Sequence, residues 1–224
     1  MLQTPTLCDQ ETRYSGPATR TLQVLPPLHA QLLGGFVLRS GDTPITTVAS
    51  PRLQALLALL VLQGSALHRR QHLAFRLWPD TTEAQAHANL RTLLHRLRRA
   101  LPHAERFLHI DVQTVQWRLG ALCTVDVAEF ERTLALAAQA EQDGNRHVMR
   151  TALTEAVERY RGELLPALYE DWLLCERERL RQTFLSALER LILVLERTQE
   201  YLAAIGYASG CCGMNRCTRR PTST

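Results

Sequence analysis

The chain has 224 residues, 46% of them hydrophobic, which is enough apolar material for one large domain or two small ones with ordinary cores. All 26 of its Lys+Arg residues are arginine, so the phosphate-loop lysine, the Schiff-base lysine and the kinase lysine are excluded together. The net charge of +4 is unevenly placed: residues 1–125 carry thirteen arginines against seven carboxylates, and residues 126–200 carry ten against fifteen, the footprint of a nucleic-acid-facing half followed by one that does not bind it.

Residues 1–27 are rich in Thr, Pro and Gln without a clear period and are expected to form a disordered arm. They lack a charged start followed by an apolar run, so no signal peptide is read. From His29 to Arg39 the pattern is strand-like, Ser40 to Pro44 supplies a turn, and Ile45 to Ala49 reads as a second short strand. Ser50 and Pro51 open a helix, serine as the cap and proline in the first turn where its missing N–H costs nothing, and Gly64 closes it. The apolar run Ala55 to Leu62 within it is too short to span a bilayer and reads as core. Ala66 to His68 looks extended. A second helix begins at Arg69 or Arg70 and is stopped by Trp78, Pro79 and Asp80.

Thr81 or Thr82 caps a third helix that runs to Leu101, ahead of Pro102, with a length of about 28 Å. Leu90, Leu93, Leu94, Leu97 and Leu101 recur at three- and four-residue steps and form one stripe that must be buried. Arg91, His95, Arg98 and Arg99 fall mainly on the other side, with Thr92 and Arg96 on its flanks, and no acidic residue occurs from Ala84 through Ala104. Such a helix suits a polyanion better than water. Phe107 to Asp111 and Val115 to Leu119 alternate apolar and polar and read as a hairpin, which completes the order of a winged helix-turn-helix over residues 28–120.

Gly120 to Val125 reads as a hinge. From Asp126 to Tyr207 the period is helical: Val127, Phe130, Leu134 and Ala137 make one stripe, Asp143 to Asn145 break it, and Val148, Leu153, Val157 and Tyr160 make the next. After a loop at Gly162 to Pro166, Leu180, Phe184, Leu188, Leu191, Ile192 and Leu195 mark a long helix. The fold class is therefore mostly α with a small β component, a winged helix-turn-helix followed over residues 125–208 by an all-α, TPR-like domain of antiparallel helix pairs. The final stretch, Gln199 to Ala208, is expected to fray, and residues 209–224 to form a disordered tail.

These residues resemble the antibiotic-regulatory-protein (SARP-type) transcription activators, in which a response-regulator-type winged helix precedes a bacterial transcriptional activation domain. The matching segments are Ser50 to Leu60, Leu77 to Asp80 and Asn89 to Leu101 in the first half, and Val125 to Phe130, Tyr160 to Leu165 and Trp172 to Leu180 in the second. The likeness implies double-stranded DNA as the ligand, RNA polymerase as a further partner, and a homodimer on repeated DNA. It further implies that Arg96 reads a base, that His95 and Arg98 touch phosphates, that Asn89, Arg91 and Thr92 face the groove, and that Arg99 lies near its edge. Arg99 has a second explanation, since the helix dipole alone favours a cation near a C-terminus. Trp78 matches a phosphate-donating indole, or else simply closes the core beside Phe75. Trp117 and Arg118 match the wing, but Gln116 stands where the family has glycine. After Ala208 the chain leaves the family pattern and looks like a truncated copy.

No metal is expected: His68 and His72 have the spacing of a helical zinc pair but no third ligand, and Cys211, Cys212 and Cys217 lack a second ligand pair. The scattered Cys8, Cys123 and Cys175 suggest a reducing cytoplasm. No catalytic constellation occurs, so neither an enzyme, a cofactor nor a small-molecule substrate is expected. The alternative function is a helical protein-interaction module, or a non-activating fragment of such a regulator.

Overall fold

The computed structural model describes residues 26–118 and 123–216, with side chains described as far as 209. It contains β1 (Leu28–Gln31), β2 (Val37–Ser40), β3 (Thr43–Pro44), α1 (Pro51–Leu62), β4 (Leu67–Arg69), α2 (Arg70–Leu77), α3 (Glu83–Ala100), α4 (Ala104–Phe107), β5 (Leu108–Ile110), β6 (Thr114–Trp117) and β7 (Cys123–Val125). Four longer helices follow: α5 (Asp126–Gln142), α6 (Arg146–Arg159), α7 (Asp171–Arg197) and α8 (Tyr201–Arg216). The chain is thus mostly helical with two small sheets, ordered β3-β2-β1-β7 and β4-β6-β5.

The helices of the first half start where local chemistry dictates. The Ser50 hydroxyl accepts from the Leu53 N–H with Pro51 in the first turn of α1, and the Thr82 hydroxyl accepts from the Gln85 N–H at the start of α3. Every residue of α1 from Ala55 to Val61 is buried, so α1 is the central post of this half. Around it pack α2, the leucine stripe of α3, and Trp117 of the hairpin, whose ring is fully buried and stacks on Phe107 at 5.8 Å.

In the second half α5 and α6 form an antiparallel pair. Asn145 caps α6 by accepting from the Val148 N–H, after a left-handed Gly144. Phe130 of α5, Tyr160 after α6 and Phe184 of α7 form an aromatic column, with centroids 5.7 Å and 4.3 Å apart. Arg177 of α7, almost fully buried, donates to the carbonyls of Leu164, Leu165 and Leu168 and so holds the loop between α6 and α7.

The two halves are stitched through the first sheet. Cys123 to Val125, expected as a hinge, is instead β7, paired parallel to β1 with Leu28 opposite Cys123. At the next residue the Asp126 carboxylate accepts from the N–H groups of Leu32 (2.9 Å) and Leu33 (2.8 Å) as well as from that of Val127. Burial pushes this carboxyl above its ordinary range, against the opposing pull of the three N–H donors. Leu33 bridges Leu164, Gly34 donates to the Glu163 carbonyl at 2.9 Å, and Leu165 donates to the Leu32 carbonyl at 2.8 Å. Farther along, Arg52 of α1 pairs with Glu170 at 2.7 Å, and the Arg76 guanidinium lies 5.8 Å from the centre of the Trp172 ring.

Gly34 is required at this seam. Its φ is +80°, and an added Cβ would stand 2.9 Å from the Arg161 carbonyl oxygen, a backbone atom that cannot swing aside. Gly34→Ala is therefore expected to cost about 1–3 kcal/mol from backbone strain alone. Denaturant titration of the variant against the parent chain reads this directly, and an unchanged midpoint would contradict it.

Four local expectations are corrected. The run from His29 to Arg39 is not one strand, because Gly34 takes a left-handed conformation and turns the chain between β1 and β2. Ile45 to Ala49 forms no strand; only Thr43–Pro44 pairs with β2. A one-turn α4 precedes the hairpin, opened by His103 in a left-handed conformation just after Pro102. Finally, α8 continues through Arg216, so residues 209–216 are helical rather than a loose tail. Residues 1–25 of the expected arm at 1–27, and residues 217–224 of the expected tail, lie outside the described residues.

Candidate nucleic-acid interface

Helix α3 spans 18 residues, about 27 Å. Its buried stripe consists of Ala86, Leu90, Leu93, Leu94 and Leu97, none more than 5% exposed. Arg91, Thr92, His95, Arg96, Arg98 and Arg99 are all exposed and Asn89 is half-buried, so the structure gathers every nominated side chain of this helix on its outer surface. At about 100° per residue, Ala88, His95 and Arg99 lie opposite the stripe. Asn89 and Arg96 occupy one flank, Arg91 and Arg98 the other, and Thr92 lies between the centre and the Arg96 flank.

The polar side chains of this face differ in what they leave free. The Thr92 hydroxyl donates back to the Ala88 carbonyl at 3.2 Å, and the Asn89 carbonyl oxygen accepts from the Gln85 side-chain amide at 2.8 Å. Among the described residues, Arg91, Arg96, Arg98 and Arg99 have no ion-pair partner. The acid of α3, Glu83, lies at its N-terminal end beside His87 and Gln71. The second half behaves oppositely: Arg132, Arg150, Arg159, Arg179, Arg181 and Arg190 all pair with glutamates. Unpaired positive charge is thus concentrated on the first half, as the count of charges along the sequence anticipates.

Trp78 ends α2 and is half-buried, packed against the core, with the Arg52 guanidinium 5.9 Å from its ring centre. This position closes the core on one side and leaves part of the ring accessible. Arg118 is exposed, while its backbone N–H donates to the Phe107 carbonyl at 2.7 Å and fixes the end of the hairpin. The tip of the hairpin projects Val112, which is 84% exposed. Gln116, at the position where a glycine was expected, donates its side-chain amide to the Ser65 carbonyl at 2.7 Å and ties the hairpin to the loop before β4.

The sequence reading missed a groove of about 630 Å3 between the start of α2, the first half of α3 and the hairpin tip. Arg69, Arg70, His87 and Arg91 line it together with Val112 and Gln113. Arg70 is committed to structure, donating to the Asp111 carbonyl at 3.3 Å. Arg69 and His87 are additional outward groups, and the Arg69-Arg70 pair directly before α2 was the available signal. Among the described residues no three His, Cys, Asp or Glu side chains could hold a metal ion, and no helix is long and apolar enough to cross a membrane.

A winged helix whose basic third helix has no ion-paired arginine among the described residues is thus joined to a stack of antiparallel helices. A family model, the bacterial transcriptional activator domain, matches residues 125–217, and so extends past Ala208, where the sequence reading saw the pattern end. The whole arrangement is similar to that in the solved structure of Mycobacterium tuberculosis EmbR in complex with a low-affinity phosphopeptide. The TM-score is 0.73 at 19% identity, covering 83% of this chain and 50% of that one, so the chain spans about half the length of that protein. No curated protein matches the chain. The second half thus carries a bacterial transcriptional activator domain, and both halves together share the fold of that structure.

Proposed function

We propose that the chain is a sequence-specific DNA-binding transcriptional regulator that inserts α3 into the major groove of double-stranded DNA. It acts in the cytoplasm, without a cofactor or a catalytic step. The observation that carries this reading is the outer face of α3, four unpaired arginines and His95 presented by a fully buried leucine stripe. A cationic helix of about 27 Å fits the groove in length, and its arginines supply both phosphate affinity and bidentate guanine readout. Asn89, Arg91, Thr92, His95, Arg96, Arg98 and Arg99 form the groove face. Arg118 reaches the backbone from the hairpin. Trp78, half-buried beside the core, offers its indole N–H to a backbone phosphate.

One recognition helix reads only a few base pairs, so two copies on direct repeats bind together. The second half is the surface for RNA polymerase. A protein-docking role for that half is also favoured by α8, where Tyr201, Leu202 and Ile205 are 57%, 88% and 61% exposed.

The two jobs of the basic helix separate by mutation. Arg96→Ala is expected to relax preference at one or two base pairs and to cost roughly 1–3 kcal/mol on the best site. Arg98→Ala is expected to weaken all sequences alike and to lower the salt slope by about one unit, as for a lost phosphate contact. Binding curves on matched and scrambled duplexes at two salt concentrations distinguish the pair. If both variants bind as the parent does, the outer face of α3 is only solvated surface.

A further inference from the structure

A cavity of about 340 Å3 opens beside α2 on the face carrying Arg69, His72 and Arg76, and Leu59 of α1 also lines it. Residues 72, 73 and 76 share one face of α2, with Arg69 directly before its first turn. Arg69 also borders the groove beside the hairpin, which otherwise uses Arg70 and Gln71, whereas His72 and Arg76 line this cavity and not that groove. His68 also lines the cavity, so two arginines and two histidines surround it with no carboxylate among the lining residues. His68 is nine-tenths buried, and its Nε2 has no hydrogen-bond partner. Burial, and secondarily the charge of Arg76, hold its pKa below the ordinary histidine value. Among the described residues Arg69, His72 and Arg76 have no ion pair; Arg76 only lies over the Trp172 ring.

A cationic lining without a carboxylate attracts an anion, and the buried His68 Nε2 gains from a hydrogen-bond partner. One group meets both. A phosphate presents several acceptor oxygens and two negative charges, and it suits guanidinium forks and imidazole N–H donors alike. The volume is that of a small-molecule site. We infer that this cavity binds the phosphate group of a small phosphorylated molecule, at a site that adjoins the groove beside the hairpin through Arg69 but is centred on His68, His72 and Arg76. A DNA backbone phosphate offers related chemistry, but it is flanked by sugars on both sides and fits poorly into a cavity bordered by a buried histidine. Because Arg76 also meets Trp172 of α7, the site lies where the two halves of the chain touch.

The test uses the full chain and inorganic phosphate as the probe, following the histidine ring resonances in a phosphate-free buffer, with chloride at matched ionic strength as the control. A saturable shift of His68 and His72 with phosphate and none with chloride is expected. His72→Gln and Arg76→Gln should each weaken it, with the pair together raising the phosphate Kd on the order of ten-fold or more. Since Arg76→Gln also removes the stacking on Trp172, His72→Gln is the cleaner variant. Duplex binding by His72→Gln should stay within about two-fold of the parent chain. Shifts that grow linearly or appear equally in chloride would overturn the assignment. So would a large loss of duplex affinity in His72→Gln, which would give these cations to the DNA backbone instead.

Discussion

Leu97→Ala is expected to lower the stability of the chain by roughly 2–5 kcal/mol. Leu97 is 0% exposed and sits mid-stripe, between Leu94 and Leu101, which are also buried. Removing its side chain deletes the transfer contribution of the buried methyl and methylene groups and leaves a void. The core around it includes α1, which packs on α3 and is buried over seven consecutive residues, so the surroundings relax only partly. Denaturant unfolding measures the loss. At a temperature where the variant remains folded, its DNA binding should keep the parent salt slope, because no arginine has changed. A loss below about 1 kcal/mol would mean that α3 does not pack as described.

Asp126→Ala is expected to cost about 3 kcal/mol, since it orphans the N–H groups of Leu32 and Leu33 at a buried seam. Leu32 and Leu33 are themselves 0% exposed, so water cannot readily replace the carboxylate. The effect should not stay local, because β1 and β7 pair immediately beside this residue and the Gly34-to-Glu163 bond lies just beyond it. Amide exchange should therefore quicken in β1, in β7 and around Leu164 together. Exchange that quickens only at the first turn of α5 would show that Asp126 is a simple helix cap.

Most helices were legible because their signals are local. Ser50 with Pro51, Thr82, and the break at Asp143 to Asn145 are read correctly from the residues alone, and the 3.6-residue period assigns Leu90 to Leu97 inward and the arginines outward. The first sheet was not legible. The partner of β1 is β7, joined through pairs such as Leu28 with Cys123, and nothing in Cys123 to Val125 records a parallel pairing so distant in sequence. The same three residues look like a linker by composition. Ile45 to Ala49 has strand-like residues, but only the Ile45 N–H reaches β2, donating to the Leu38 carbonyl at 2.8 Å, an example of context overriding β propensity. The helical continuation from Ser209 to Arg216 runs through Gly210 and Gly213, residues that argue against a helix when read locally.

The candidate site divides in the same way. Which α3 side chains face outward follows from periodicity, and the structure places all of them there. The groove with Arg69 and His87 does not follow, since it exists only because the hairpin tip at Val112 and Gln113 folds back toward α2. The structural role of Gln116, where the resembling family has glycine, was also hidden, because its amide finds the Ser65 carbonyl only in the folded sheet.

The central claim is that α3 reads duplex DNA through its arginine face, and selection from a random duplex pool tests it most directly. The parent chain should enrich one short motif, repeated in direct orientation. A variant with Arg91, Arg96 and Arg98 changed to alanine, shown by its melt to remain folded, should enrich nothing. No enrichment by the parent chain at low salt, or the same motif recovered by the triple variant, would contradict the account.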